Sequence, residues 1–438
     1  MTAKYFLLNN GIRCLLYDTK CECHNSITIN ITINAGSRDE CPEYQGLTHF
    51  AEHMFFKGTK KRPNGNIISG EIEQYGAQFN AVTDYDITYY YIKIDNKHLD
   101  KAFDILSDIL FNSLFRQTDI NSEKEVIVNE LKLYQNNPSR STTNMVSRLI
   151  YKDTTLAHDI GGTIENIRSA TREKFLTYIS NFYQPENIII SLAGHLPSYQ
   201  KTTKLLTKYF NKKFTYHNLL KNYKQINKFN TNRLLFENFQ NSQITSRFHF
   251  KKVSNIEGTY IVIAFPGYKY ASPEYFQMVL LSTILGKGMS SKLFLEIREK
   301  RGLTYSIKSN ISAYQDLGIF TINCATHSND ITKTFKLIWV ELEKIKKGKL
   351  TPYEISKAKD NIIGTELLEH ESTNNLAQTN AYDYLYLNKI ISLHDFTKNI
   401  NQITKSQLVK LANNLFQKHK LNVAIISNIK LTNDQFKC

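Results

Sequence analysis

The sequence predicts an α+β protein of two duplicated domains, each a mostly antiparallel sheet with helices packed on it. Three observations carry this expectation. Strands and helices mix along the 438 residues without the strict alternation that marks a parallel α/β sheet. The order strand, helix, helix, strands, long helices runs twice, which points to an internal duplication although residue identity between the halves is weak. The length exceeds what one ordinary core supports, so two domains of roughly 200 residues each are expected.

The first copy opens on "MTAKYFLLNNGIRCLLYDT", two short strands around an Asn-Asn-Gly turn. From Ile27 to Asn34 apolar and polar residues alternate, which reads as a strand with one buried face. "AGSRDE" turns the chain into a helix from about 44 to 57, with Lys57 in the last turn and Gly58 ending it. A second helix, about 67–75, stops at Gly76. "AQFNAVTDYDITYYYIKID" is aromatic and β-branched, so it forms two strand segments or one long bent strand. Its Tyr89, Tyr90 and Tyr91 are read as strand core and rim rather than a stacking platform. Helical periodicity returns at "HLDKAFDILSDILF" and over about 119–134.

A helix ("TREKFLTYISNFY"), a strand ("NIIISLAG") and a helix ("SYQKTTKLLTKYF") then close the first copy. The polar Lys/Asn run 211–232 reads as a linker, placing the domains at 1–210 and 233–438. Beyond it, "GTYIVIAFPG" is a strand, and "SPEYFQMVLLSTILG" and "SSKLFLEIREK" are helices. "LTYSIKSNISAYQDLGIFTINCAT" is an antiparallel strand pair, followed by three helices and a last strand, "LNVAIIS".

Composition narrows the function classes. No apolar run reaches the roughly 20 residues needed to span a bilayer, so no membrane partner is expected. The N-terminal strands leave no room for a signal peptide or an Arg-rich presequence, and a cytoplasmic location is expected. The six cysteines are sparse, as suits reduced thiols. Cys21, Cys23 and His24 could form a metal cluster, but no second Cys/His pair follows at zinc-finger spacing. The net charge of +15 comes from scattered lysines among Asn, Ile and Tyr, with no zinc-finger or RRM-like pattern. Nucleic acid is therefore not an expected partner.

The chemistry concentrates in "HFAEH", residues 49–53. On a helix, positions four apart lie one above the other, so His49 and His53 can share one divalent cation. Glu52, on an adjacent part of the surface, can touch a water on that cation without ligating it. The alternative is an exposed helix with a chance histidine pair. A zinc with two His ligands needs a third, usually a carboxylate, and an open position if it is catalytic. "DINSEKEVIVNELKLY" offers Glu123, Glu125 and Glu130. Glu123 and Glu130 are seven apart and share a face with Ile127 between them, unlike a fully solvated acidic face. These carboxylates could otherwise simply pair with Lys124 and Lys132.

At this point the chain resembles a known family. "NAGSRDECPEYQGLTHFAEHMFFKGTKKRP" is similar to the active-site segment of the insulinase/pitrilysin family of inverted-motif (HxxEH) zinc metallopeptidases. In that family a glutamate 77 positions beyond the second histidine completes the metal site, and that position is Glu130. A second family glutamate, seven residues earlier, falls on Glu123. "GAQFNAVTDYDIT" resembles the family's substrate-binding edge strand with its Asn-Ala pair, Asn80 and Ala81. "GKGMSSKLFLEIREKRGLTYSI" resembles the segment carrying an Arg and a Tyr seven apart, here Arg298 and Tyr305. The four motifs match in order, and the resemblance runs from about Asn10 to the last strand. It is to the short, two-domain members, such as the catalytic subunit of the mitochondrial processing peptidase and bacterial processing-peptidase-like proteases. That peptidase's non-catalytic partner has a long glycine-rich loop, whereas this chain has only "LGKGM", so the partner role is not expected.

The resemblance implies a zinc endopeptidase acting on short or unstructured peptides, with one Zn2+ per chain held by His49, His53 and Glu130. Glu52 would serve as general base and then general acid. Glu123 would orient a ligating histidine. Tyr305 would donate to the oxyanion, and Arg298 would fix substrate carbonyls. Peptide would bind as an added strand along Asn80 and Ala81. In double-length relatives the Arg and Tyr come from the last domain and face the metal of the first. A short chain is therefore expected to work as a homodimer, or paired with a related chain, with Tyr305 acting in trans. The rival expectation is a catalytically silent assembly subunit of the same family; such relatives lose part of the motif, and here each expected chemical position is filled.

Overall fold

The computed structural model describes residues 3–20, 25–152, 154–220, 243 and 245–436. Cys21, Cys23 and His24, and residues 221–232 of the polar run, lie outside the described residues.

In the first half the strands are β1 (Lys4–Leu7), β2 (Arg13–Asp18), β3 (Ser26–Ile33), β4 (Gln78–Thr83), β5 (Thr88–Asp95) and β6 (Ile188–Gly194). The helices are α1 (Leu47–Phe55), α2 (Gly65–Glu73), α3 (Leu99–Asn112), α4 (Gln117–Asn136), α5 (Pro138–Ile150), α6 (Ile164–Arg168), α7 (Arg172–Phe182) and α8 (Tyr199–Phe210). The strands form one sheet in the order β1-β2-β6-β3-β5-β4, antiparallel except where β2 runs beside β6. The apolar face of the sheet meets α1, α3 and α7 in a core that includes Ile29, Ile31, Phe50, Phe55, Phe103 and Phe175. The "YDIT" turn resolves the long aromatic stretch into two paired strands, β4 and β5. Phe214 and Tyr216, at the start of the polar run, still pack on this core. The Tyr216 hydroxyl accepts from the Ser113 amide and donates to the Leu110 carbonyl.

The second half contains β7 (Arg247–Lys252), β8 (Thr259–Gly267), β9 (Thr304–Ala313), β10 (Gly318–Thr326) and β11 (Asn422–Ser427). Its helices are α9 (Tyr275–Gly286), α10 (Ile331–Lys346), α11 (Pro352–Glu369), α12 (Thr373–Leu387), α13 (Leu393–Asn401) and α14 (Lys405–Leu415), with a π-type turn at Phe294–Glu299. The sheet order is β7-β11-β8-β10-β9. Setting β1 aside, this is the order of the first sheet, with one parallel pair in the same place, β7 beside β11. The duplication weak in residue identity is plain in topology. Five helices, not three, precede the last strand. The sequence reading fused them because their breaks are short, as at Ser372, whose side chain caps α12 immediately after α11 ends.

The compact units do not follow the chain halves. One takes Met1–Leu131, His158–Thr231 and Leu367–Ser392; the other takes Lys132–Ala157, Asn232–Glu366 and Leu393–Cys438. Each unit thus receives a helix from the other half: α12 lies on β3 and β6, and α5 on β7, β8 and β11. This overturns the one-buried-face reading of β3. Its polar residues Thr28, Asn30 and Thr32 are at most 1% exposed, because α12 covers them. Thr28 meets Thr373 hydroxyl to hydroxyl at 2.9 Å, and Ala193 packs on Leu376 and Ala377. Small residues set a close helix–sheet approach with no spare volume. Ala377→Leu should overpack this layer and cost about 1–3 kcal/mol, read as a lower urea midpoint with an unchanged slope.

Candidate active site

The metal-binding geometry rests on α1, a helix of nine residues. One face, Phe50, Ala51, Met54 and Phe55, is fully buried, and the core therefore fixes its rotation. That rotation leaves His49 and His53 partly open on the other face, their side chains 15% and 24% exposed. The predicted start at about 44 moves to Leu47, because Gly46 adopts a left-handed φ of 89° and Pro42–Tyr44 forms a separate short turn. Gly46 also lies against the Gly161–Gly162 backbone, where a Cβ would stand 2.4 Å from the Gly161 carbonyl oxygen.

Helix α4 brings Glu130 to this face. Its carboxylate lies 3.9 Å from His49 Nε2 and 3.7 Å from His53 Nε2. One donor atom from each of the three residues falls within 4.8 Å of the others. Tetrahedral zinc with bonds near 2.05 Å separates its ligands by about 3.4 Å, so small side-chain adjustments close this triad on one ion. Glu125 faces away and is exposed. Among the described residues no other His, Cys, Asp or Glu group has this geometry.

Glu123 is buried one layer behind. Its carboxylate accepts from His53 Nδ1 at 2.9 Å and pairs with Lys57, not with Lys124 or Lys132. Burial raises its pKa, but the bonds from His53 and Lys57 outweigh that and hold it below the usual carboxylate range. Reciprocally, burial disfavours charged His53, yet the Glu123 bond and the surrounding carboxylates raise its pKa. The bond directs Nε2 of His53 toward Glu130, fixing the ring tautomer that a metal ligand needs.

Glu52 accepts a 2.5 Å hydrogen bond from the Thr83 hydroxyl at the end of β4. Burial and neighbouring Glu130 raise its pKa, while Thr83 and His53 pull it down; the net shift is upward. A carboxylate moved toward neutrality can take and return a proton at neutral pH. The edge strand β4 is the outermost of its sheet, and Asn80 and Ala81 pair with Tyr91 and Tyr90. Tyr89 and Tyr90 are 8% and 3% exposed, core and rim as expected.

The Arg and Tyr lie on the other unit. Arg298 belongs to the π-type turn and sits over the Phe294 ring at 4.8 Å. Tyr305 is the second residue of β9, is 56% exposed, and places its hydroxyl 2.7 Å from His327 Nε2. Sequence reasoning did not single out Thr83 or Glu40, and it gave Lys57 only a helix-end role. The contacts of Thr83 and Lys57 link elements distant in the chain, and no local spacing announces them.

Two sequence patterns match the chain: the insulinase family (Peptidase family M16) over residues 20–164 and the Peptidase M16 inactive domain over residues 169–362. An uncharacterized zinc protease of Rickettsia felis is 30% identical over 410 residues, 93% of this chain and 94% of that protein. The chain belongs to the insulinase family, peptidase family M16. The beta subunit of the mitochondrial-processing peptidase of Dictyostelium discoideum is 26% identical over 423 residues, 94% of this chain and 86% of that one. In fold, the chain resembles a protease from Helicobacter pylori with a TM-score of 0.86 at 23% identity, covering 97% of this chain and 99% of that one. No helix among the described residues is long and apolar enough to cross a membrane. In this M16 member, removing the Thr83 hydroxyl leaves the half-buried Glu52 with one fewer donor. Thr83→Val should therefore raise the Glu52 pKa further, followed by NMR titration of the labelled Glu52 carboxyl carbon against wild type.

Proposed function

We propose that this chain is a zinc-dependent endopeptidase that hydrolyses short or unstructured peptides. The observation that carries the reading is Glu52: a half-buried carboxylate beside the His49–His53–Glu130 triad, bonded to the end of an edge strand. The donor set of two imidazoles and one carboxylate suits zinc and leaves a position open. When bound, zinc would polarise the scissile carbonyl and bring a water's pKa to about 7. Glu52 takes the proton of the attacking water and returns it to the leaving amine nitrogen, so the peptide departs as a neutral amine. The substrate backbone adds to β4 beside Asn80 and Ala81, a mode that favours extended chains over folded ones. Glu123 keeps His53 in its ligating tautomer.

Glu52→Gln should retain zinc and fold but lose about 10²–10⁴-fold in kcat, since only proton transfer is removed. His49→Ala and Glu130→Ala should lose the metal as well, measured as zinc per chain. A zinc-loaded Glu52→Gln variant with near-normal turnover would remove Glu52 from this role.

We further propose that Arg298 and Tyr305 complete the metal site of a partner chain in a homodimer or a pairing with a related chain. Tyr305 donates to the developing oxyanion, and Arg298 holds the substrate carbonyls. The exposure of Tyr305 supports this, since more than half of the residue is open to a second molecule. Mixing Glu52→Gln with Tyr305→Phe, each nearly inactive alone, should restore roughly a quarter of wild-type activity, because half of randomly exchanged symmetric dimers carry one intact site. Subunit exchange shown by tagged co-purification without any recovery would overturn the trans arrangement and leave the zinc site untouched.

A further inference from the structure

Residues Ser37, Arg38, Asp39 and Glu40 are four consecutive polar side chains, three of them ionisable, and all are at most 5% exposed. Charged residues are seldom fully buried unless they are paired. Each of these three has a defined partner. Asp39 accepts from the Gly36 amide at 2.8 Å and closes its own turn. Arg38 pairs with Asp86 at 2.8 Å, and Asp86 also accepts from the Tyr386 hydroxyl at 3.0 Å. Glu40 reaches forward to α1: one oxygen accepts from the Gly46 amide at 2.8 Å, the other from the Thr48 amide at 2.6 Å.

The last pair of bonds fills a vacancy. Among the described residues of the first half, five of eight α-helices start at a residue whose side chain accepts from the first turn: Asn64, Asn137, Thr163, Thr171 and Ser198. At α1 the N-cap is Gly46, which has no side chain. A nine-residue helix is marginal by itself, and its first turn frays without a cap. His49 is the third residue of α1 and lies in that turn, whereas His53 lies near the opposite end.

We propose that Glu40 is a positioning residue of the metal site, supplying from outside the helix the cap that Gly46 lacks and so holding His49 at ligating distance of Glu130 and His53. The same segment is bonded to the β4–β5 turn. Ser37 and Arg38 donate their amides to the Asp84 and Tyr85 carbonyls at 3.0 and 3.1 Å, one and two residues beyond Thr83, the partner of Glu52. Gly36 permits this approach, since a Cβ there would stand 2.2 Å from the Tyr85 carbonyl oxygen. One buried segment thus ties the metal helix to the strand proposed to take substrate. The inference rests on the metal reading of His49, His53 and Glu130.

The test is zinc affinity, measured by chelator competition, beside thermal unfolding of the metal-free chain. Glu40→Gln should weaken zinc about tenfold or more, as loss of a residue supporting a metal ligand does, and Glu40→Asp should fall between it and wild type. Ser198→Ala, which uncaps α8, should lower the metal-free Tm with zinc affinity unchanged. Should Glu40→Gln not fold, Glu40→Asp carries the same comparison. Zinc affinity within twofold of wild type for the folded Glu40 variant, or an equal loss in Ser198→Ala, would overturn the positioning role. A wild-type chain that takes up no zinc would instead overturn the metal reading, and this inference with it.

Discussion

Three carboxylates, Glu52, Glu123 and Glu130, gather around two imidazoles in a partly buried site, and this arrangement constrains everything near it. Like charges in a region of reduced dielectric repel, and burial penalises each ionised form. The cluster divides its labour. Glu123 is stabilised as an anion by Lys57 and His53, while Glu52 is moved toward its neutral form by burial. Glu130, at similar distance from both Nε2 atoms, is left facing the imidazoles. A dication at that point meets the shared need of three donors and relieves the repulsion between Glu130 and Glu52.

Meeting this need places a demand on packing. The two histidines come from one short helix, and helix rotation is fixed by Phe50, Ala51, Met54 and Phe55 in the core. Glu123 and Glu130 come from α4, whose Ile127 and Val128 are buried in the same core. A single core therefore sets both helices that carry the triad. The opposite face of the sheet is built differently. Small and polar residues of β3 and β6 accept a helix from the far half of the chain, so the exchange secures the unit without taking residues from the metal-bearing core.

The site was more legible in the sequence than the architecture around it. Helical geometry turns spacings of four and seven into shared faces, so His49 with His53, and Glu123 with Glu130, could be paired from the sequence alone. Choosing Glu130 as the third ligand drew on the family resemblance. The two-sided burial of β3 was not legible: Thr28, Asn30 and Thr32 read as a solvated face, and their cover comes from residues 373–387, more than 340 positions away. Strand β7 is hard to read because "RFHFKK" offers only two apolar residues among charged ones, as suits a sheet edge, and so too short an alternation. Glu40 was hidden for a related reason. Acidic residues in a turn look solvated, and only the fold shows that a helix start lacking its own cap lies beside them.

The duplication bears on why the His–Glu triad forms in one copy among the described residues. Strand β3 and strand β8 hold the same place in their two sheets, and a helix follows each. After β3 that helix presents His49, Glu52 and His53 on one face. After β8 it is α9, which buries Met278, Leu280, Leu281, Ile284 and Leu285 and carries no histidine or acid within its bounds. A helix apolar on so many sides is committed to packing and has no face left for chemistry. The second copy instead exposes its polar groups just downstream, at the π-type turn with Arg298 and the bulged start of β9 with Tyr305, both departures from regular geometry. Such departures re-aim side chains and are frequent at functional sites. The two copies thus differ by physical means: one keeps a half-open helix face with two imidazoles and a carboxylate, and the other closes the equivalent face by packing.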